Sequence, residues 1–344
     1  MSCASTRMMT TTRSKLPPIL GPLAGLALSL LLAFVLSGLT QFTGAKLAIS
    51  PWEWASAMSL AALGAPVTFS ESAGLAVNVA GTVYAPPLAL TFIIALGCYL
   101  PARLAPTRTS SASLLSGLTL AVASGALWLT CGRPVPNPFF AMLGGLLLGA
   151  LSPVLGSLAR GSFGHAWRWT WCYVATLALP VGILGAIAAA RFLGLPYASF
   201  LLWTVNIGLS GWAAGLGGFA HAELHMPSVF GASIPPSFGQ LAGNTPLPIV
   251  IIALVTSLGL LGLFAAFWSV RAERELRWTL PLSFAIIAAL DTAGGMVVTG
   301  HVAGGLETIS LHAYFLPSPI NIPAAALLGL VADRLGLSLA RKGS

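Results

Sequence analysis

Residues 19–41 read ILGPLAGLALSLLLAFVLSGLTQ and contain no charged side chain. A helix needs about 20 predominantly apolar residues to cross the hydrocarbon core of a bilayer. The segment is also too long for the apolar region of a secretory signal, which runs to about 7–15 residues. We therefore predict an uncleaved first transmembrane helix, with cleavage after the small residues 43–45 as a lesser alternative. Residues 1–18 then form a basic cytoplasmic tail.

The composition of the whole chain favours a membrane protein. Of its 344 residues, 56% are hydrophobic and 7% are charged, whereas soluble domains carry about 25% charged residues. Its 16 Lys and Arg outnumber its 8 Asp and Glu, but they stand singly or in short groups between apolar runs. A nucleic-acid interface would need these cations clustered on one face. The sequence thus predicts a protein embedded in the lipid bilayer that binds no nucleic acid.

Further apolar segments predict an all-α fold. We expect a polytopic bundle of transmembrane helices with 9–10 crossings, which forms a single integral membrane domain over residues 1–344. The segments that are long enough to cross, or nearly so, lie at residues 19–41, 84–101, 112–131, 139–159, 169–190, 197–218, 247–270, 279–300 and 316–333.

Residues 43–83 interrupt this series. They include Pro51-Trp52-Glu53-Trp54 and a short apolar stretch, and they become polar at residues 70–72. Tryptophan favours the interface between membrane and water. We predict an extracytoplasmic loop with a helix over residues 52–69 at or dipping into the outer interface. An ordinary loop throughout is the alternative.

Residues 219–246 are the second interruption, rich in Pro, Gly and Ser and without Lys or Arg. If they stay in the cytoplasm, the basic clusters at 271–277 and 334–342 fall outside, against the positive-inside rule. If they cross, all but three of the 16 cations lie inside. We therefore predict ten crossings, both termini cytoplasmic, and a broken or re-entrant segment buried among helices, because non-helical backbone cannot face lipid. A cytoplasmic loop with nine crossings is the alternative.

Two polar residues within the predicted spans, Asp291 and Asn206, are candidates for a functional or packing role. Asp291 is an acidic residue near the centre of the span at 279–300, where a charge is costly and must face the bundle interior or a cavity. It is a candidate for a proton or ion relay, and a helix-packing hydrogen bond is the alternative. Asn206, within the span at 197–218, is expected to bridge helices through its amide.

Residues 221–225 read HAELH. On a helix the two histidines would share one face, as in the H-E-x-x-H motif of zinc proteases. The glutamate is one position late, and only the distant His301 and His312 could supply a third ligand, so we predict no metal site. The candidate intramembrane polar site therefore comprises Asp291, Asn206, His221, Glu223 and His225.

The sequence offers no positive case for an enzyme. Its four cysteines form no C-x-x-C pair, and it has no G-x-S-x-G elbow, P-loop or dinucleotide fingerprint. We expect no catalytic residues and no cofactor. An intramembrane metalloenzyme built on His221 and His225 is the weakest hypothesis. Convincing inverted repeats are not evident, and Gly211-x-x-x-Gly215 predicts close packing within the chain in preference to a dimer face.

Three stretches share a pattern with a known family. Residues 61–67, AALGAPV, resemble its short apolar segment, with Leu63 in place of a histidine, and residues 85–91, APPLALT, resemble the start of its second span, with Ala89 in place of a glycine. The third stretch, residues 203–248, contains Asn206, Trp212 and the sequence GGFA at 217–220, followed by prolines in similar order. In these features the chain resembles bacterial membrane proteins often labelled cell-division protein PerM. Residues 221–225 have no counterpart in the family pattern.

The resemblance implies a non-enzymatic protein of the bacterial cytoplasmic membrane. Such a protein would support cell division and envelope integrity through contacts with other membrane proteins, divisome components among them. The residues leave an alternative open: a secondary transporter or lipid flippase with a mid-membrane site near residues 219–246 and Asp291. A transporter that couples to protons should lose function on Asp291→Asn, whereas a scaffold should tolerate the change.

Overall fold

The computed structural model describes residues 18–42, 49–73, 77–104, 109–132, 134–159, 162–193, 198–215, 220–225, 255, 257–265, 278–304 and 307–342. Within them the protein is mostly helical and contains a six-stranded antiparallel sheet. Four helices are long and apolar enough to cross a membrane, in agreement with the prediction of a membrane protein. The sheet was not predicted, so the all-α class fits the helices but not the whole fold.

The helices are α1 Leu20–Phe42, α2 Pro51–Ala61, α3 Leu88–Leu104, α4 Thr109–Trp128, α5 Pro138–Leu158, α6 Ser162–Leu193, α7 Ala198–Leu201, α8 Thr204–Gly215, α9 Thr279–Ala293 and α10 Asn321–Lys342. Residues 257–265 are also helical, and we call them the 257–265 helix. The strands are β1 Val67–Ala73, β2 Val77–Tyr84, β3 Val135–Pro136, β4 Ala220–His225, β5 Met296–Gly304 and β6 Glu307–Pro317.

The four helices that could cross a membrane are α1, α4, α5 and α6, each at a predicted span. Helices α3 and α9 are apolar but shorter. The predicted span at 279–300 is too long, because α9 ends at Ala293 and β5 begins at Met296. The predicted span at 197–218 is divided into α7 and α8 at residues 202–203. Of the predicted segment 219–246, only the strand at 220–225 lies within the described residues.

The strands lie in the order β3-β1-β2-β5-β6-β4. The hairpins β1–β2 and β5–β6 meet through β2 and β5, so the two ends of the chain share one sheet. Alternating polar and β-branched residues, as in Val298-Thr299 and Val302, suit a strand that has one face buried and one exposed. This sheet corrects two predictions, because it replaces the exposed loop at 70–83 and the end of the span at 279–300.

One face of the sheet is polar. Thr68, Thr82, Thr299 and His312 stand opposite one another in register across four strands. The neighbouring positions on the other face are Val67, Val83 and Val298, which are buried or half-buried. Directly paired residues project to the same side, so the register divides polar from apolar residues. The exposed members of this face are Thr68, Ser70, Thr299, His301, Ser310 and His312, with Val135 and Leu316 as exposed apolar residues at its margins.

Several helices begin or end at the sheet. Strands β2, β3 and β6 lead directly into α3, α5 and α10, and α4 and α9 end beside β3 and β5. We call this end of the bundle the sheet end. Helix α1 runs toward it, antiparallel to α3, because Gly21 lies against Pro101 of α3 and Gly25, one turn later, lies against Ile94.

Helix α2 enters the bundle from the sheet end. A capping box starts it: the Glu53 N–H donates to Ser50 Oγ at 3.3 Å, and the Ser50 N–H donates to Glu53 Oε2 at 3.0 Å. Deeper in the bundle Ser29 of α1 donates to Ser59 at 3.4 Å. The chain turns at Gly64, whose φ is 86°, and returns to begin β1. The helix predicted to lie at the interface is therefore buried among other helices.

Helix α8 has the same geometry. Asn206, near its start, donates a hydrogen bond to the carbonyl of Gly294 at the sheet end of α9. Gly215, its last residue, lies against the buried Ser257. Strand β4 then begins at Ala220, opposite the last residue of β6. Both α8 and β4 thus begin at the sheet end, and α8 descends only part of the way through the bundle.

The buried side chains form two principal clusters. One contains residues of α1, α2, α3, α4 and α5, with Leu60, Leu90 and Leu120 fully buried. The other joins α6, α8, the 257–265 helix, α9 and α10 around Trp212 and Phe284. Gly211 and Gly215 lie against residues of α6 and the 257–265 helix, so this pattern serves packing within the chain.

Candidate functional site

Asn206 holds three elements together. Its Oδ1 accepts a hydrogen bond from the Leu88 N–H at 3.0 Å, and its Nδ2 donates to the carbonyls of Pro86 at 2.9 Å and Gly294 at 3.1 Å. These bonds join the start of α3 and the end of α9 to α8. Since both parts of the amide are occupied by backbone groups, Asn206 acts as a structural bridge, as its sequence position predicts.

Asp291 lies on the same seam between α8 and α9. Ser210, one turn beyond Asn206, donates to Asp291 Oδ1 at 2.8 Å, and Asp291 is one turn before Gly294. Its side chain is 1% exposed. Among the described residues, its Oδ2 has no hydrogen-bond partner.

The Asp291–Ser210 pair has a limited chemistry. An ionised carboxylate among apolar helices is costly unless several donors or a cation compensate it. The hydroxyl of Ser210 satisfies one lone pair on one oxygen, and a carboxylate can accept about four hydrogen bonds. The second oxygen is thus suited to hold a proton or to contact a small cation. Beside this seam α8 packs closely against α6, where Gly208 lies against Ala178.

The remaining predicted site residues lie elsewhere. Residues 221–225 form β4, where Glu223 stands opposite Tyr314 and His225 stands opposite His312 in the backbone register. The helical face assumed for His221 and His225 is therefore wrong, because these residues pair with β6. Their side chains are outside the described part of the protein. In the described part, no group of three or more His, Cys, Asp or Glu is arranged to hold a metal ion.

Two residues of interest were not singled out from the sequence. Ser210 is the hydrogen-bond partner of Asp291, and its spacing of four from Asn206 on one helix face was the available signal. Asp333 on α10 is 5% exposed, although the adjacent Arg334 is exposed. Asp333 stands at the last position of the predicted span 316–333, and the helix continues beyond it to Lys342.

Two groups near the sheet end have perturbed acidities. Burial raises the pKa of Tyr84 at the end of β2, so its hydroxyl remains a neutral hydrogen-bonding group at ordinary pH. Burial also raises the pKa of the Cys131 thiol; a hydrogen bond with Ser56 lowers it and the nearby Glu53 raises it further.

The comparisons with family models, curated proteins and solved structures give no match to this chain.

Proposed function

We propose that this chain is a multi-pass protein of the cytoplasmic membrane whose sheet lies outside the membrane. An open sheet has unpaired backbone groups at its edges, which lipid cannot satisfy. Its strands come from four separate parts of the chain, so these parts share one side of the membrane. The proposed crossings are α1, α3, α4, α5, α6, the segment at 247–270, α9 and α10, and both termini are cytoplasmic.

The distribution of charge supports this topology. Of the 16 Lys and Arg, only Lys46, Arg133 and Arg191 fall on the side of the sheet, and the others fall on the cytoplasmic side. That distribution obeys the positive-inside rule with eight crossings. Strand β4 belongs to the same sheet as β1, so this topology has no crossing within residues 219–246. The re-entrant element of this topology is α8.

The proposed role is that of a non-enzymatic scaffold, with the polar face of the sheet as its contact surface. The carrying observation is that this face exposes Thr, Ser and His side chains from β1, β5 and β6, brought together from distant parts of the chain. A surface of hydrogen-bonding groups that distant parts of the chain share suits contacts with another protein. The resemblance to the PerM-labelled family suggests that the process is cell division and envelope integrity, with divisome components as partners.

The test compares two surfaces in cells that depend on this protein. Ser70→Glu with Ser310→Glu places charges on the polar face, and Ser338→Glu places one on the exposed side of α10. We expect the first variant to lose support of division and photo-crosslinks from residue 299 to envelope proteins, while the control keeps both. Normal division with unchanged crosslinks in the sheet variant would contradict the scaffold role.

A transporter or lipid flippase is the second candidate. One observation favours it. Helix α8, which we call a half-helix because it descends only part of the way through the bundle, lies beside the buried Asp291. Broken helices beside ionisable residues are common at transport sites. Asp291→Asn, which keeps an acceptor for Ser210, should then abolish support of division in cells. A scaffold that acts through the sheet should retain that support at normal protein abundance.

A further inference from the structure

The two halves of the chain repeat one order of elements. Apart from β2, β5 and the four-residue α7, each half has a helix running toward the sheet end, a short helix entering from the sheet end, a strand, two further helical segments, a strand and a last helix. Strand β2 follows β1 in the first half, whereas β5 precedes β6 in the second. In the first half the helices are α1, α2, α3, α4 and α5. In the second half they are α6, α8, the 257–265 helix, α9 and α10.

Strand pairing supports this equivalence. In the first half β1 begins at Val67, opposite Pro136, which leads into α5. In the second half β4 begins at Ala220, opposite Pro317, which leads into α10. Both pairs are antiparallel. The halves therefore match in pairing partner, direction and connection, and both run in the same direction through the bundle.

Short sequence motifs recur at matching places in the two halves. VPNP at 135–138 corresponds to LPSP at 316–319. LLG at 147–149 with LG at 155–156 corresponds to LLG at 327–329 with LG at 335–336, at identical spacing. AALG at 61–64 corresponds to AAGLG at 213–217. The glycines of the LLG motifs make equivalent contacts, Gly149 with α4 and Gly329 with α9.

These matches identify the positions of the first half that correspond to Asp291 and Ser210. The AALG and AAGLG motifs align Ser210 with Met58. The glycine contacts align residues 117 and 281, which aligns Asp291 with Leu127. Leu127 is buried in the apolar cluster of α1 to α5, and the half-buried Met58 packs against that cluster. The first half thus packs its half-helix with two apolar side chains where the second half has a carboxyl and a hydroxyl.

The first half is therefore an internal control for the second. It shows that a half-helix can pack against its neighbour in this architecture without a buried carboxyl group. A carboxyl group that the packing does not require, and that keeps one oxygen without a partner among the described residues, indicates a ligand. We propose that Asp291 and Ser210 form an intramembrane binding site for a small monovalent cation, either a proton or Na⁺.

The neighbouring elements define what else could act on this site. The described part of the chain gives Asp291 one hydrogen bond, from Ser210. Helix α9 packs against α6, α8, α10, β6 and, through Phe284 and Phe264, the 257–265 helix. The titratable or charged side chains described on those elements are His165, Arg168, Cys172, Tyr173, Arg191, Asp333, Arg334, His312 and Tyr314.

Infrared difference spectroscopy of the full-length protein in lipid nanodiscs tests the proposal. One arm changes the pH from about 4, where ordinary carboxyl groups titrate, to about 10. The other arm changes NaCl for choline chloride at fixed pH. We expect a carboxyl band that responds to at least one arm and is lost in Asp291→Asn, while Asp333→Asn keeps it. A response to pH alone identifies a proton site, and a response to Na⁺ identifies a sodium site.

A double variant distinguishes a ligand site from a structural contact. Ser210→Met with Asp291→Leu copies the pair of the first half. We expect it to fold, with a melting temperature equal to or above that of the wild type, and to lack the responsive band. Failure of this variant to fold, or the absence of any Asp291-dependent band in both arms, would overturn the proposal. The inference rests on the membrane topology proposed above and is independent of partner binding by the sheet.

Discussion

Asn206 donates a hydrogen bond of 3.1 Å to the carbonyl of Gly294, and this bond joins the half-helix α8 to the end of α9. The same side chain also bonds to the start of α3. One amide thereby links the first half of the chain, the half-helix and the entrance to β5. The position of the Asp291–Ser210 pair, one turn deeper on the same seam, depends on this link.

Asn206→Ala should lower the stability of the protein. The change leaves the Leu88 N–H and the carbonyls of Pro86 and Gly294 without their partner. A buried unsatisfied group costs about 1–3 kcal/mol, and we expect a total loss in that range because the Asn206 hydrogen bonds are only partly buried. Thermal unfolding in detergent measures it. Ser338→Ala, at an exposed position, serves as the control, and an equal melting temperature for both variants would exclude the bridge.

Gly149→Ala and Gly329→Ala should destabilise the two halves by the same mechanism. A Cβ at Gly149 would lie 2.8 Å from Gly117 Cα, and one at Gly329 would lie 2.8 Å from Pro281 Cα. Such overpacking typically costs about 1–3 kcal/mol. Gly38→Ala is the matched control, because its Cβ would meet nothing within 4 Å. If all three variants unfold alike in denaturant, the proposed equivalence of the two glycine contacts fails.

Cysteines at positions 82 and 299 should form a disulfide. Thr82 of β2 and Thr299 of β5 are directly opposite, and paired positions have Cβ atoms about 4.5–5.5 Å apart. Small backbone adjustments would allow a disulfide at that separation. Thr82→Cys with Ser310→Cys is the control, because β5 lies between β2 and β6. Mass-tagging of free thiols gives the readout, and equal oxidation of both pairs would argue against the shared sheet.

Cys131 should react with thiol reagents only at elevated pH. Its pKa is raised by burial, lowered by the hydrogen bond with Ser56 and raised by Glu53, with a net increase. Because the thiolate is the reactive form, a higher pKa moves the rise in rate to higher pH than the value of about 8.5 for an ordinary thiol. Glu53→Gln should lower the pKa of Cys131 and so move the rise in rate to lower pH, and Gln can preserve the capping box.

The comparison for Cys131 is a cysteine at the exposed position 70 in a Cys131→Ser background. Its rate should rise near the ordinary thiol pKa. Identical pH profiles for the two cysteines would show that the surroundings of Cys131 have no such effect.

The helices were more predictable than the sheet for a physical reason. An uninterrupted apolar run such as residues 19–41 needs no distant partner to specify a helix in lipid. Residues 296–317 also contain few charges, so hydropathy assigned part of them to spans. Their alternation at Val298, Thr299 and Val302 suits a strand, but a strand needs partners, and β5 lies against β2 from the other half of the chain.

The candidate site was predictable only in part. The cost of a charge within a span was enough to single out Asp291 as a buried polar residue. Its partner Ser210 is 81 residues away and depends on the packing of α8 against α9. The spacing of His221 and His225 suggested a helical face because the pairing of β4 with β6 is not visible in the local sequence.

Cysteine accessibility in intact cells tests the central claim most directly, in a version of the protein without native cysteines. Single cysteines replace Ser70 on β1, Ser310 on β6 and Ser338 on α10, which are all exposed. The account predicts that a membrane-impermeant reagent labels positions 70 and 310 from outside, and labels position 338 only after the membrane is opened. Labelling of position 70 from outside with position 310 reachable only from the cytoplasm would contradict a single sheet outside the membrane.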